Sequence, residues 1–181
     1  MIRAIGAGMG DCPSGMVLRI GTPDDAQVIA ELVGELAAYE RLADSNRCTP
    51  EAIRAELRDP RRVLEVLLAV VKGEVVGLAS FFTTYSTFAA KRGIYLEDII
   101  VRPSWRHRGI GSALMKELAR IAHERDCGRM EWTTLLWNTP AIEFYESLNA
   151  TPNEAWTTYR LTGVSLKKLA ADAATAAHDH A

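Results

Sequence analysis

Fourteen residues near the middle of the chain constrain its fold more than any others: Ile99-Ile100-Val101-Arg102-Pro103-Ser104-Trp105-Arg106-His107-Arg108-Gly109-Ile110-Gly111-Ser112. A β-branched run ends and a basic loop turns. Two glycines then open onto an apolar stripe, Leu114, Leu118, Ile121 and Ala122, at helical spacing. A strand fed through a short turn into a helix belongs to sheets with helices packed on them. The turn also carries chemistry. A helix N-terminus holds about half a positive charge and several unpaired N–H donors, so it receives a phosphate well. Gly109 and Gly111 let the backbone approach an anion closely, and Arg102, Arg106 and Arg108 add charge where that anion would sit. Two familiar phosphate loops do not fit. There is no G-x-x-x-x-G-K-S/T run, and a dinucleotide fingerprint would start at the strand end, whereas seven residues separate Val101 from Gly109. Its third glycine would fall on Leu114. A bare Gly-x-Gly also serves as a solvated turn.

The surrounding pattern repeats strand and helix signals. Residues 17–20 read as a strand, and Thr22-Pro23-Asp24-Asp25 starts a helix carrying Ile29, Leu32, Val33 and Leu36 to about Tyr39. Thr49-Pro50-Glu51 starts a second helix that Asp59-Pro60 ends. Residues 63–71 and 75–83 are β-rich runs split by Lys72-Gly73-Glu74, a hairpin turn. A loop over 85–93 leads to a strand over 94–101. After the glycine-led helix come a strand over 130–136 and a helix, begun by Asn138-Thr139-Pro140, with Phe144, Tyr145 and Leu148. Asn149 follows as a left-handed cap, then a strand over 156–161 and a helix with Leu166 and Leu169. This order predicts an α/β (α+β) fold, a mixed central β-sheet with helices on both faces. The expected organisation is a flexible leader over 1–16, one domain over 17–170, and an Ala-rich tail over 171–181 that frays. Gly6-Ala7-Gly8-Met9-Gly10 in the leader fails as a dinucleotide motif, because Asp11 stands where a glycine is needed.

Composition narrows the function. A net charge of −2 and a pI of about 6.1 exclude a general affinity for nucleic acid or an anionic membrane. No run approaches the ~18 apolar residues of a membrane span, and the first sixteen residues lack the apolar core of a signal peptide. Cys12, Cys48 and Cys127 form no CxxC pair and suit a reducing, cytoplasmic compartment. The four histidines offer no metal-ligand cluster, so no metal is expected.

Arg106-x-x-Gly109-x-Gly111 after a strand resembles the pyrophosphate-binding motif of the GNAT acetyltransferase superfamily. Tyr95-Leu96-Glu97-Asp98 before it and Trp137-Asn138-Thr139-Pro140-Ala141-Ile142-Glu143-Phe144-Tyr145 after it match in order and spacing. With Glu35-Leu36-Ala37-Ala38-Tyr39-Glu40, the whole is similar to the diamine acetyltransferase branch, over about 17–170. The resemblance implies a GNAT fold, acetyl-CoA as cosubstrate, and a small-molecule primary amine as acceptor: a diamine, a polyamine or a lysine-like amino acid. It also implies direct attack in a ternary complex and a homodimer. Acetyl-CoA would be held by Ile99, Ile100, Val101, Arg106, His107, Arg108, Gly109, Ile110, Gly111, Ser112 and Asn138. Tyr39, Glu40, Glu97 and Asp98 would hold the amine. An alkylammonium has a pKa near ~10.4, so its reactive form costs about 4–5 kcal/mol at pH 7. Glu97 matches the group that takes that proton, and Tyr145 the general acid that serves the departing thiolate.

Plainer roles stand beside these: a surface strand residue for Glu97, a packed helix face for Phe144-Tyr145, a solvated face for Tyr39-Glu40, and a helix cap for Asn138. The branch pattern also breaks at Ser86, Phe88, Leu136 and Tyr159, which bears on whether polyamines are accepted. Two other functions share the donor. One acetylates a protein lysine or N-terminus, and the other is a non-catalytic acyl-CoA sensor.

Overall fold

The strand Glu65–Val71 sets the layering. Its side chains Val66 and Leu68 pack with Ile29 and Leu32 of helix α1 (Ala26–Tyr39) and Leu57 of α2 (Pro50–Arg58). The alternate side chains Leu67, Ala69 and Val71 are just as buried. Leu67 shares a cavity of about 180 Å³ with Ile121 of α3 (Ile110–Glu124). Successive strand residues face opposite ways, so a strand apolar on both faces needs a helical layer on each. The mixed sheet flanked on both faces by helices, expected from the sequence, is what forms.

The computed structural model describes residues 2–4 and 12–178, with side chains over 12–173. Six strands lie in chain order: β1 (Ile2–Ala4), β2 (Val17–Ile20), β3 (Glu65–Val71), β4 (Glu74–Ser86), β5 (Lys91–Val101) and β6 (Arg129–Glu131). All neighbours are antiparallel except β5 and β6, which are parallel across α3. The chain divides into two compact units, Met1–Leu135 and Leu136–Ala181. That boundary lies inside the span 17–170 that reads as one domain in the sequence. The first unit holds the sheet and α1–α3. The second contains α4 (Thr139–Ser147) and α5 (Gly163–His178).

Local chemistry explains the helix starts. Thr22 and Asp25 form a capping box, with the Thr22 N–H donating to Asp25 Oδ2 at 2.8 Å. Pro23 opens a 3-10 turn that leads into α1. The Ala52 N–H donates to Thr49 Oγ1 at 3.2 Å, and Pro50 begins α2. Asn149 closes α4 at φ 62°, the left-handed cap expected of it.

Five features depart from the sequence reading. Strands β4 and β5 pair out to Ser86 and Lys91, so the loop expected over 85–93 shrinks to a turn over 87–90. The polar residues of that hairpin carry no apolar period, and only cross-strand pairing orders them. β6 stops at Glu131, not at 136, after three residues paired to β5. Residues 156–161 have β-rich composition but form no strand, since a strand also needs a neighbour to accept its ladder. Finally, Ile2–Ala4 pairs with β2, and α5 runs to His178 through most of the Ala-rich stretch, alanine being the strongest helix former. Gly6-Ala7-Gly8-Met9-Gly10 lies outside the described residues.

Candidate active site

The site is built around an irregularity in β5. Phe81 pairs with Leu96 and Ser80 with Asp98, so Glu97 is the extra residue of a β-bulge. A bulge bends its strand and re-aims its side chains. On the other edge, β6 pairs with Gly93, Ile94 and Tyr95. Among the described residues no strand lies along that edge beyond Tyr95. Along Ile99, Ile100 and Val101 backbone groups alternate between β4 and that open edge, and those of Ile99 and Val101 face the edge, where a ligand can add as an extra strand. Glu97 itself is exposed at the bend.

The basic loop comes next. Residues Pro103–Trp105 form a 3-10 turn, and His107 and Gly109 take φ values of 58° and 71°. Gly109 is the N-cap of α3, and its carbonyl accepts the Ala113 N–H at 2.9 Å. No side chain caps this helix, so the first-turn amides of Ile110, Gly111 and Ser112 have no capping side chain to bond, an arrangement that favours an anion. These features, a glycine cap and an uncapped helix start beside an open strand edge, fit a ligand with a phosphate head and an amide-bearing arm.

The arginines divide the work differently from the sequence expectation. Arg102 does not add to the anion site. Its guanidinium lies between α1 and the β3–β4 hairpin, 3.2 Å from Glu35, 3.3 Å from Glu74 and 3.8 Å from Glu31. Three carboxylates compensate its charge and fix its direction. Arg106 Nε donates to the Val101 carbonyl at 3.0 Å, and its guanidinium carbon lies 5.0 Å from the centroid of the Tyr39 ring. Arg108 sits over the Trp105 ring at 5.1 Å.

An acidic group faces the bulge. Tyr39 ends α1, and the Glu40 N–H donates to the Leu36 carbonyl at 2.9 Å. Burial holds the Asp98 carboxyl above the usual range, while its bond from Ser80 pulls the other way. Burial also raises Glu40, and the Asp98 charge adds to that. Cys48 is raised by burial and again by Asp98. Two carboxylates that feel each other in a partly dry site are stabilised by any cation placed between them. Sequence reasoning missed Ser80, Cys48 and Trp105. Ser80 is the only polar residue in the apolar stretch of β4 from Val75 to Phe82, which is a legible signal; Cys48 carries none.

In the second unit, Asn138 is 7% exposed and precedes α4, where its carbonyl accepts the Ala141 and Ile142 amides at 3.0 and 3.1 Å. Its side chain does not make the bond that a capping asparagine makes to the helix amides. Tyr145 is half-buried on α4, its ring 5.5 Å from that of Phe144. Phe88, Leu136 and Tyr159 are all more than nine-tenths exposed. Among the described residues no group of three or more His, Cys, Asp or Glu is placed to hold a metal, and no helix is long and apolar enough to cross a membrane.

Known proteins are similar to this chain in sequence and in fold. The sequence profile of the Acetyltransferase (GNAT) family matches residues 29–150. Thialysine N-epsilon-acetyltransferase of Bos taurus is 34% identical over 166 residues, covering 86% of this chain and 97% of the relative. The L-ornithine N5-acetyltransferase of Arabidopsis thaliana is 40% identical over 199 aligned positions, covering 84% and 86%. An integron cassette protein of V. cholerae superposes with a TM-score of 0.74 at 26% identity, over 87% of this chain and 99% of that one. The bulged strand and the glycine-capped helix together form the candidate site of acyl transfer. The chain belongs to the GNAT acetyltransferase family, whose cosubstrate is acetyl-CoA, and it is an N-acetyltransferase.

Proposed function

We propose that the chain transfers the acetyl group of acetyl-CoA to the primary amine of a small molecule, by direct attack within a ternary complex. The observation that carries this reading is the bulge at Glu97, flanked by the Glu40–Asp98 acids and by a strand edge that leads to the glycine cap of α3. The relatives named for thialysine and ornithine favour an amino acid with a side-chain amine over a polyamine.

Acetyl-CoA supplies an activated thioester carbonyl. The amides of Gly109, Ile110, Gly111 and Ser112, with Arg106, His107 and Arg108 beside them, would hold the pyrophosphate. Backbone groups of Ile99, Ile100 and Val101 would hold the pantetheine arm, together with Asn138. Donors preorganised this way contribute a few kcal/mol each where charge develops on a carbonyl oxygen. Tyr39, Glu40 and Asp98 orient the ammonium group. Glu97, directly or through water, takes its proton, because the ammonium must be neutralised before it can attack. Tyr145 holds a proton at its phenol oxygen for the departing sulfur. A thiol near pKa 8.5 needs only modest help, about 1–3 kcal/mol. A homodimer and a cytoplasmic location complete the proposal. The exposed Trp156 and Tyr159 support the first, and three cysteines without a CxxC pair support the second.

The test is release of the CoA thiol from acetyl-CoA in the presence of ornithine, lysine, thialysine or a diamine. Turnover with one of these, lowered at least tenfold in Tyr145→Phe at similar acetyl-CoA affinity, is expected. Turnover only with peptides would favour protein acetylation. Acetyl-CoA binding without turnover on any amine would leave a sensor. Unchanged turnover in Tyr145→Phe would remove the acid from Tyr145.

A further inference from the structure

Tyr39 and Arg106 belong to opposite halves of the site. Tyr39 ends α1 beside Glu40 on the acceptor side, and Arg106 begins the turn that leads to the glycine cap. The structure joins them. The Arg106 guanidinium stacks 5.0 Å from the Tyr39 ring centroid while its Nε donates to the Val101 carbonyl at 3.0 Å. One cation thus ties the end of α1 to the end of β5. A guanidinium suits this use, because it stacks through its face and donates in its plane. The turn after Arg106 has little slack: His107 at φ 58° and Gly109 at φ 71° both sit in the left-handed region within three residues of the anchor. A left-handed conformation at a residue other than glycine persists only where its surroundings hold it.

We infer that Tyr39 is a positioning residue for the cofactor loop. By holding Arg106 it sets the amides of residues 109–112, so acetyl-CoA affinity depends on a side chain of the acceptor side. The two substrates then bind with coupled affinities, and the coupling is reciprocal. The inference rests on the acetyl-CoA site proposed above.

The experiment measures acetyl-CoA binding by calorimetry, without amine, for the wild type, Tyr39→Phe, Tyr39→Leu, Arg106→Met and the Tyr39→Leu/Arg106→Met double variant. Phe keeps the ring face, so its Kd stays within twofold of wild type. Leu removes the face and weakens binding about 3- to 10-fold. The double variant binds no more than twofold weaker than Arg106→Met alone, because the Leu change has nothing further to disrupt. Tyr39→Gln serves as a second ring-free variant if Leu unfolds the chain, read by circular dichroism. Unchanged affinity in the ring-free variant, or losses that multiply in the double variant, would overturn the inference while leaving the cofactor site intact. A wild type that does not bind acetyl-CoA would instead overturn the cofactor site, and the inference with it.

Discussion

Ser80 and Asp98 face each other across β4 and β5 and bond twice. The Ser80 hydroxyl donates to Asp98 Oδ2 at 3.1 Å and accepts the Asp98 N–H at the same distance. The serine is 4% exposed, so this bond is made in a dry place. It pins the carboxylate immediately beside the bulge at Glu97. Burial raises Asp98 and the serine lowers it, and burial is the larger effect.

In Ser80→Ala the lowering bond is lost, so Asp98 holds its proton to higher pH and the acidic limb of the kcat/KM profile for the amine moves upward. The same change costs about 1 kcal/mol of stability. Asp98→Asn should raise KM for the amine about tenfold and remove that limb's dependence on Ser80. A profile that does not move in Ser80→Ala would separate Asp98 from amine binding.

Asp98 also leaves a mark on stability. Its carboxyl is raised in the folded chain, so the folded state binds the proton more tightly than the unfolded one. Its contribution therefore becomes less favourable as pH rises from the ordinary carboxylate range through the raised value. Relative to wild type, Asp98→Asn should gain stability between pH 4 and pH 7, read from thermal unfolding across that range.

Asp25 behaves in the opposite sense. Two bonds from Arg19, at 2.6 and 2.7 Å, lower its carboxyl to about 2, helped by Thr22. Its contribution is fully present above the unfolded value near 4 and is lost as pH falls toward 2. Asp25→Asn removes the ion pair, while its amide oxygen can still accept the Thr22 N–H of the capping box. We expect a loss of about 1–2 kcal/mol at pH 7, and a difference from wild type that shrinks as pH falls from about 4 through about 2.

Gly77 is required by contact. A Cβ there would lie 2.7 Å from the Ile100 carbonyl oxygen, which belongs to the strand itself and cannot swing aside. Gly77→Ala should cost about 2–3 kcal/mol and lower Tm by roughly 4–12 °C. A smaller fall would mean that β4 and β5 separate easily next to the bulge.

Arg102 separates structure from charge. Its partners Glu31, Glu35 and Glu74 are half-exposed, so Arg102→Met should cost only about 1 kcal/mol, and less in high salt. Acetyl-CoA affinity should stay within twofold, in contrast to Arg106→Met. A large loss of affinity would put Arg102 back at the anion site.

Much of this was legible in the chain. Thr22 with Asp25, Thr49 with Pro50, and Asn149 marked helix ends, because caps are satisfied within a few residues of themselves. The turn from Val101 to Ser112 was readable for the same reason: glycine position, charge and helix start are all local. Strand interiors such as β3 showed as apolar runs. Arg102, by contrast, looked equivalent to Arg106 and Arg108 in the sequence. Its three acidic partners lie 28 to 71 residues away, and nothing within the loop distinguishes it.

By itself, then, the sequence determined the class of fold, the glycine-capped helix and the residue types available for acyl transfer, since each rests on contacts between near neighbours. Tertiary structure decided the rest. It made Glu97 the bulged residue, because register depends on which β4 residue each β5 residue meets. It buried Asp98 against Ser80, turned Arg102 toward Glu31, Glu35 and Glu74, and set Arg106 on Tyr39. It also withheld a strand from residues 156–161, whose composition invites one. A side chain's charge and shape are local properties, but its partner and its solvent exposure come only with the packing of distant segments.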